Sequence, residues 1–87
     1  MDTELLILKS ITSDLEYSRK VIPYLKSEYF ADKPQQLVYL IADEYFRKYN
    51  KCATADVLAI ELAKAPGLSE SVHNSALEII NSLKSLE

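Results

Sequence analysis

Apolar residues recur at intervals of three and four along this chain, and strict alternation of apolar and polar residues over five or more positions is absent. The first spacing places side chains on one face of an α-helix, whereas alternation is typical of a half-buried strand. The sequence therefore predicts an all-α fold, a compact bundle of about five to six short helices. At 87 residues the chain is long enough for one core, and we expect a single domain over residues 1–87.

Capping and helix-breaking residues divide the chain into predicted helices. The predicted helices run from Thr3 to about Thr12, from near Asp14 with a break or kink at Pro23, from Pro34 to Tyr49, from the cap Thr54 to about Ala65, and from the cap Ser69 towards Glu87. Asn50 ends the third helix, because asparagine tolerates the left-handed conformation. Pro66 and Gly67 close the fourth. No such signal ends the fifth helix before Glu87, and we expect that the native chain continues or was longer.

The spacing of apolar residues predicts which side of each later helix faces the core. The predicted inward residues are Leu37, Leu40, Ile41 and Tyr45 in the third helix, Leu58 and Leu62 in the fourth, and Val72, Ala76, Ile79, Leu83 and Leu86 in the fifth. The fifth set advances in alternating steps of four and three, which is the spacing of a coiled coil. It covers fewer repeats than a coiled coil needs, so a core-facing amphipathic helix remains the alternative interpretation.

The chain contains one glycine, Gly67. A phosphate-binding P-loop needs two glycines before its lysine, and a dinucleotide-binding turn needs three, because backbone amides must approach the phosphate where a Cβ atom would clash. Neither motif is possible in these 87 residues. Any chemistry on a nucleotide would have to be performed by sequence outside this chain.

Residues suited to catalysis are scarce. His73 is the only histidine and lies far along the chain from Cys52, the only cysteine, so no histidine-based metal site or cysteine–histidine pair is visible. The adjacent carboxylates Asp43 and Glu44 fall on the predicted polar side of the third helix, where they favour solubility. The sequence predicts a chain that is not an enzyme, with no catalytic, cofactor-binding or metal-binding residues.

The charge pattern favours proteins over nucleic acids as partners. The net charge is −3, and basic residues occur at most in pairs, Arg19 with Lys20 and Arg47 with Lys48. Such pairs are typical of solvated helix faces and are too few for a phosphate-binding surface. The acidic start, the lack of a long apolar run and the single cysteine predict a cytoplasmic protein, without contact to a membrane.

The stretch from Tyr17 to Leu62 resembles the N-terminal domain of DnaB-type hexameric replicative helicases, most closely those of tailed phages. In that family an aromatic pair, a polar loop, a long helix, a turn and a capped helix follow one another. The corresponding segments here are Tyr29-Phe30, Ala31 to Lys33, Pro34 to Tyr49, Asn50 to Ala53 and the cap Thr54. One departure is the turn, where family members often carry Gly-x-Pro and this chain has Asn50-Lys51-Cys52-Ala53.

This resemblance implies that the chain is one domain of a replicative helicase and does not include its ATPase domain. Residues 1–68 would form the globular head of the helicase collar, and residues 69–87 would lead towards a helical hairpin whose second arm is missing. The ATPase domain, with its ATP and Mg²⁺, would lie downstream. The resemblance implies a hexamer built as a ring of dimers, and docking of primase or a helicase loader. Without the hairpin, we expect the isolated chain to be monomeric or weakly dimeric.

An aromatic strip on the third helix is the first candidate for an interface. Tyr39, Phe46 and Tyr49 are separated by seven and three residues and share a face that differs from the predicted inward stripe. The candidate protein interface comprises Tyr39, Phe46 and Tyr49 together with Val72, Ile79 and Leu83 of the fifth helix. Replacing Phe46 by serine is then expected to weaken binding and leave the fold intact. A free-standing helical adaptor with a single protein partner is the alternative function.

Overall fold

The chain folds into five α-helices joined by short connections, as seen in a computed structural model that describes residues 3–65 and 67–85. The helices are α1 (Thr3–Ser13), α2 (Leu15–Val21), α3 (Lys33–Tyr49), α4 (Ala55–Lys64) and α5 (Glu70–Ser85), and two 3-10 turns, Ile22–Tyr24 and Ser27–Tyr29, lie between α2 and α3. Within those two ranges there is no strand, which confirms the all-α prediction. Three predictions lie outside the described residues: the helix-closing role of Pro66, the inward position of Leu86 and the open helix end at Glu87.

Side-chain caps begin four of the helices. The side-chain oxygens of Asp14, Asp32, Thr54 and Ser69 accept hydrogen bonds from backbone amides three residues further on, at 2.9 to 3.3 Å. Each bond satisfies an amide that the helix itself leaves without a partner. The caps predicted at Thr54 and Ser69 are confirmed. The third helix begins one residue earlier than predicted, so Pro34 is its second residue.

The predicted breaks also occur where expected. Pro23 interrupts the second segment, which continues from α2 into the 3-10 turn Ile22–Tyr24. A proline removes a backbone donor and crowds the preceding turn, so an α-helix does not run through it unchanged. Asn50 has φ 54° and ψ 38°, the left-handed conformation predicted for the end of α3. The chain therefore turns back sharply towards α4.

The buried apolar core draws on α1, α3, α4 and α5 and on the connections that precede α3 and α4. Its buried residues are Leu8, Ile11, Ile22, Phe30, Val38, Tyr39, Ala42, Ala53, Leu58, Leu62, Ala76, Ile80 and Leu83. Helix α5 packs against α3, α4 and α1, and the Nζ of Lys9 on α1 donates a hydrogen bond of 3.1 Å to the backbone oxygen of Leu83. Lys84 pairs with Asp56 at 2.8 Å and joins the exposed sides of α5 and α4. The last helix is thus held by three neighbours.

Helix α3 is rotated relative to its predicted orientation. Gln35, Val38, Tyr39 and Ala42 are buried, whereas Leu40 is 47% exposed and the other predicted inward residues, Leu37, Ile41 and Tyr45, are only half-buried. Contacts from outside the helix explain the difference. The Tyr39 ring stacks on Phe30 with centroids 5.1 Å apart, and its hydroxyl donates a hydrogen bond of 3.0 Å to the Leu25 backbone oxygen. This pair fixes the inward side of α3.

The inward side of the other two late helices is closer to prediction. Leu58 and Leu62 of α4 are buried, as predicted. In α5, Ala76 and Leu83 are buried as predicted, but Ile80 replaces its neighbour Ile79 as the fully buried isoleucine. The α5 stripe therefore belongs to the core of this domain along most of its length.

Candidate protein interface

Two of the six predicted interface residues lie in the core, and this part of the prediction is wrong. Tyr39 is 2% exposed and Leu83 is 1% exposed. Tyr39 is held by Phe30 and Leu25, and Leu83 belongs to the buried core cluster. Neither side chain can reach a partner without unfolding the domain.

The other four predicted residues do not form one surface. Phe46 is half-buried and packs against the core, whereas Tyr49 at the end of α3 is 51% exposed. Ile79 lies half-buried beside Leu5 and Pro34, in a shallow groove between α5, α1 and the start of α3. Val72 is half-buried at the start of α5. Of these four residues, only Tyr49 offers a largely exposed aromatic ring to a partner. The role of all four in binding stays a prediction.

Tyr49 belongs to a different groove, which runs between the second half of α3 and the end of α4. Its walls are Ile41, Glu44, Tyr45, Lys48 and Tyr49 on one side and Glu61, Lys64 and Ala65 on the other. We call this the α3–α4 groove. It encloses a volume of about 270 Å³ and is open to solvent along one side.

Two aromatic rings line the α3 side of the α3–α4 groove. The rings of Tyr45 and Tyr49 lie one turn apart with centroids 4.7 Å from each other, tilted by 47°. The ammonium group of Lys48 lies 5.4 Å from the centroid of the Tyr49 ring, within the range of a cation–π contact. Leu40 on α3 and Ile60 on α4 add exposed apolar surface beside the groove. Exposed aromatic and aliphatic side chains at one place are typical of protein interfaces.

Charged groups of both signs surround this apolar surface. Glu44 and Lys48 lie one turn apart on α3, and Glu61 and Lys64 lie nearly one turn apart on α4. The groove therefore carries two negative and two positive side chains and no net charge. A groove of this kind does not attract a polyanion, because binding of phosphate requires an excess of positive charge.

Helix α3 also carries an ion pair beside the groove. The Arg47 Nε donates a hydrogen bond of 2.8 Å to the Asp43 carboxylate, and this bond raises the pKa of the exposed Arg47 guanidinium. One turn before Asp43 on α3, burial raises the pKa of the Tyr39 phenol, and the charge of Asp43 adds to the effect. The pKa of Tyr39 thus reflects its place in the core.

The residues considered for catalysis lie on different elements of the fold. His73 is half-buried on α5, and Cys52 is half-buried in the turn after α3, where its Sγ lies 3.7 Å from the Ser18 hydroxyl. Among residues 3–65 and 67–85, no three side chains of histidine, cysteine, aspartate or glutamate come together as metal ligands would. In the same ranges no helix has the length and apolar character needed to cross a membrane.

The α3–α4 groove is not indicated by the sequence pattern, because that pattern predicts that Leu40, Ile41 and Tyr45 face the core. The usable signal is the spacing of Ile41, Tyr45 and Tyr49, which follow each other at intervals of four residues.

Comparison with protein-family models, with curated proteins and with solved structures finds no significant match to this chain.

Proposed function

We propose that this chain is a non-catalytic assembly and docking domain, the N-terminal collar domain of a DnaB-type replicative helicase. The observation that carries the proposal is the α3–α4 groove, where exposed aromatic and aliphatic side chains lie within a border of mixed charge. An apolar centre with a polar border is the usual arrangement of a surface that binds protein. The chemistry of the groove supports the docking role.

The order of elements supports the choice of family. Tyr29-Phe30 precedes a short connection, α3 is a long helix of 17 residues, and the cap Thr54 begins α4 after a turn, in the order that the resemblance implies. Phe30 packs inside on Tyr39, and Asn50 makes the turn in the left-handed conformation that a glycine would otherwise provide. On this proposal the partners are other copies in the ring and a primase or loader.

The gene provides the first test. If the proposal is correct, the reading frame past the Glu87 codon encodes a Gly-Lys-Ser/Thr phosphate loop within a RecA-like ATPase domain. A stop codon directly after Glu87 would contradict the collar function and would favour the free-standing adaptor.

Binding provides the second test. The full-length gene product, titrated by calorimetry with the primase or loader encoded in the same genome, is expected to bind at micromolar or lower concentration. Tyr49→Ser removes the most exposed ring of the groove, so any partner that docks there binds the variant more weakly. Lys20→Glu changes an exposed residue on α2 and serves as the control. A folded protein that binds neither replication partner would contradict the proposal.

A further inference from the structure

We infer that one face of this domain binds single-stranded nucleic acid, through contacts to phosphates and one stacked base. The face is formed by residues 17–27 and 45–55, and we call it the basic face. Its cations are Arg19, Lys20, Lys26, Arg47 and Lys51. The inference does not depend on the helicase assignment, and it adds nucleic acid to the partners that the charge pattern alone predicts.

The net charge of −3 averages over an uneven distribution along the chain. Residues 17–27 and 45–55 contain six of the ten basic residues and none of the 13 acidic residues. These two segments therefore carry a charge of +6, whereas the rest of the chain carries −9. All six basic side chains are exposed. Binding of a phosphate chain depends on such a local excess of positive charge more than on the net charge of a domain.

The fold joins the two segments at two points, and the first is the contact between α2 and the turn after α3. The Ser18 hydroxyl lies 3.7 Å from the Cys52 sulfur. Arg19 and Lys51 are the chain neighbours of these two residues, so their Cα atoms are at most about 17 Å apart. A strand of a few nucleotides can therefore contact cations from both segments.

The second point lies beside Tyr39. Its hydroxyl bonds to the backbone oxygen of Leu25, the residue before Lys26. Tyr39, Asp43 and Arg47 follow each other at intervals of four residues and so share one side of α3. Burial raises the pKa of Tyr39, and the charge of Arg47 opposes that rise, as a nearby cation does. Lys26 and Arg47 therefore lie on the same side of the domain.

The cations of the basic face are available to a ligand. In the part of the chain that the structure describes, Arg47 is the one cation of this face that forms a salt bridge. Arg19 and Lys20 lie in the last turn of α2, where a positive charge also favours the helix dipole. That explanation does not extend to Lys26 and Lys51, because both lie outside the α-helices.

An exposed tyrosine on the basic face favours a single strand over a duplex. Tyr24 lies in the 3-10 turn after α2, between Lys20 and Lys26 in the sequence, and is 79% exposed. Aromatic rings beside cations bind single strands because unpaired bases can stack on them. In a duplex the base faces are already stacked on one another, so the ring would contribute little.

The composition of the basic face does not suit a lipid membrane. A helix that lies on an anionic membrane inserts side chains such as leucine, phenylalanine or tryptophan between the lipids. None of the exposed residues in segments 17–27 and 45–55 is leucine, isoleucine, valine, phenylalanine or tryptophan. The positive charge therefore has no apolar anchor beside it, and nucleic acid is the favoured polyanion.

Fluorescence anisotropy of the 87-residue chain with a labelled oligodeoxythymidine of about 12 nucleotides tests the inference. At about 50 mM salt the Kd is expected to be on the order of 10 µM. Four phosphate contacts give a slope of about −3 when the logarithm of the binding constant is plotted against that of the salt concentration. Affinity should therefore fall roughly 50-fold between about 50 and 200 mM salt.

Charge reversal in both segments provides the matching variant. The double variant Arg19→Glu, Lys51→Glu is expected to bind at least about tenfold more weakly, because two negative charges then face the phosphates. Its control is Lys33→Glu, Lys64→Glu, which changes the net charge equally at exposed positions outside the two segments. The control should change the Kd less than about threefold, because only long-range attraction is reduced.

Tyr24→Ser tests the stacked base. Loss of the ring is expected to weaken binding about fivefold and to leave the salt slope unchanged, because stacking releases no counterions. The control is Tyr29→Ser at a 56% exposed position outside the two segments. It should leave the Kd within about twofold.

Four results would each overturn the inference. They are no binding at about 500 µM protein and low salt, equal losses in the two double variants, an unchanged Kd in Tyr24→Ser, and binding to a duplex or to phosphatidylserine vesicles as tight as to the single strand. Binding of primase or loader is measured separately, so this inference and the proposed function can fail independently.

Discussion

The two sides of α3 carry the same kinds of side chain in different surroundings. Tyr39 and Tyr49 are identical residues ten positions apart, yet Tyr39 is buried with its hydroxyl bonded to Leu25, whereas Tyr49 is half exposed beneath the ammonium group of Lys48. The difference arises outside the helix. Phe30, Leu25 and the 3-10 turn Ser27–Tyr29 contact one side of α3, and the other side forms a wall of the α3–α4 groove. One side therefore stabilises the fold, and the other is available to a partner.

Removal of Phe30 should have the largest effect on this arrangement. Phe30→Ala leaves a cavity beneath Tyr39, and truncation of a buried phenylalanine costs about 3–5 kcal/mol of unfolding free energy. Urea denaturation followed by circular dichroism measures the change. The control is Tyr29→Ala at the adjacent, 56% exposed position, expected to change stability by about 0.5 kcal/mol or less. Equal losses in the two variants would show that Phe30 is not the side chain that fixes α3.

A second pair of variants compares two aromatics near the end of α3. Phe46 packs against the core from a half-buried position, so Phe46→Ser is expected to lower the unfolding free energy by roughly 1–3 kcal/mol. Tyr49→Ser should change it by about 0.5 kcal/mol or less, because the ring is half exposed. Thermal melts of both variants test the difference. If Phe46→Ser left stability unchanged, the sequence-based expectation that Phe46 serves binding alone would regain support.

Removal of the Tyr39 hydroxyl should have a smaller effect on the unfolding free energy, and this effect should depend on pH. Tyr39→Phe removes its bond to the Leu25 backbone oxygen, at a cost of about 1 kcal/mol near neutral pH. Burial raises the pKa of Tyr39 above its ordinary value of 10.0, so the folded state favours the neutral phenol. That stabilisation is fully present below the unfolded pKa and is lost as the pH rises through the folded pKa.

The variant lacks this titration, so the stability gap between it and the parent should shrink, or change sign, in alkaline solution. Urea denaturation of both chains at pH 8 and at about pH 11 measures the gap. Stability curves that stay parallel over this range would show that Tyr39 is not the buried tyrosine that titrates.

Sequence alone was sufficient for features that depend on neighbouring residues. The caps Thr54 and Ser69 and the left-handed Asn50 were predicted correctly, because each acts on backbone within four residues of itself. The break at Pro23 has the same local cause. The order and approximate bounds of the helices could therefore be predicted.

The orientation of α3 could not be predicted in the same way. Residues 37–42 are six consecutive apolar residues, so several faces of the helix are compatible with a core-facing stripe. The observed orientation of α3 is fixed by the contacts of Tyr39 with Phe30 and Leu25. Both residues precede the helix and reach Tyr39 only in the folded chain. Neighbouring Ile79 and Ile80 pose the same ambiguity in α5. The α3–α4 groove escaped prediction because it depends on this orientation and on the end of α4.

The contact between Cys52 and Ser18 allows the opening of the turn after α3 to be followed by the rate at which the Cys52 thiol is alkylated. Ser18 is fully buried and its hydroxyl lies 3.7 Å from the Cys52 sulfur, which is half-buried. A thiol reagent reaches this sulfur faster when the turn moves away from α2, so the alkylation rate follows local opening. Since the chain has one cysteine, every labelled molecule reports the same event. The native sequence thus carries its own reporter of motion at the joint between α3 and α4.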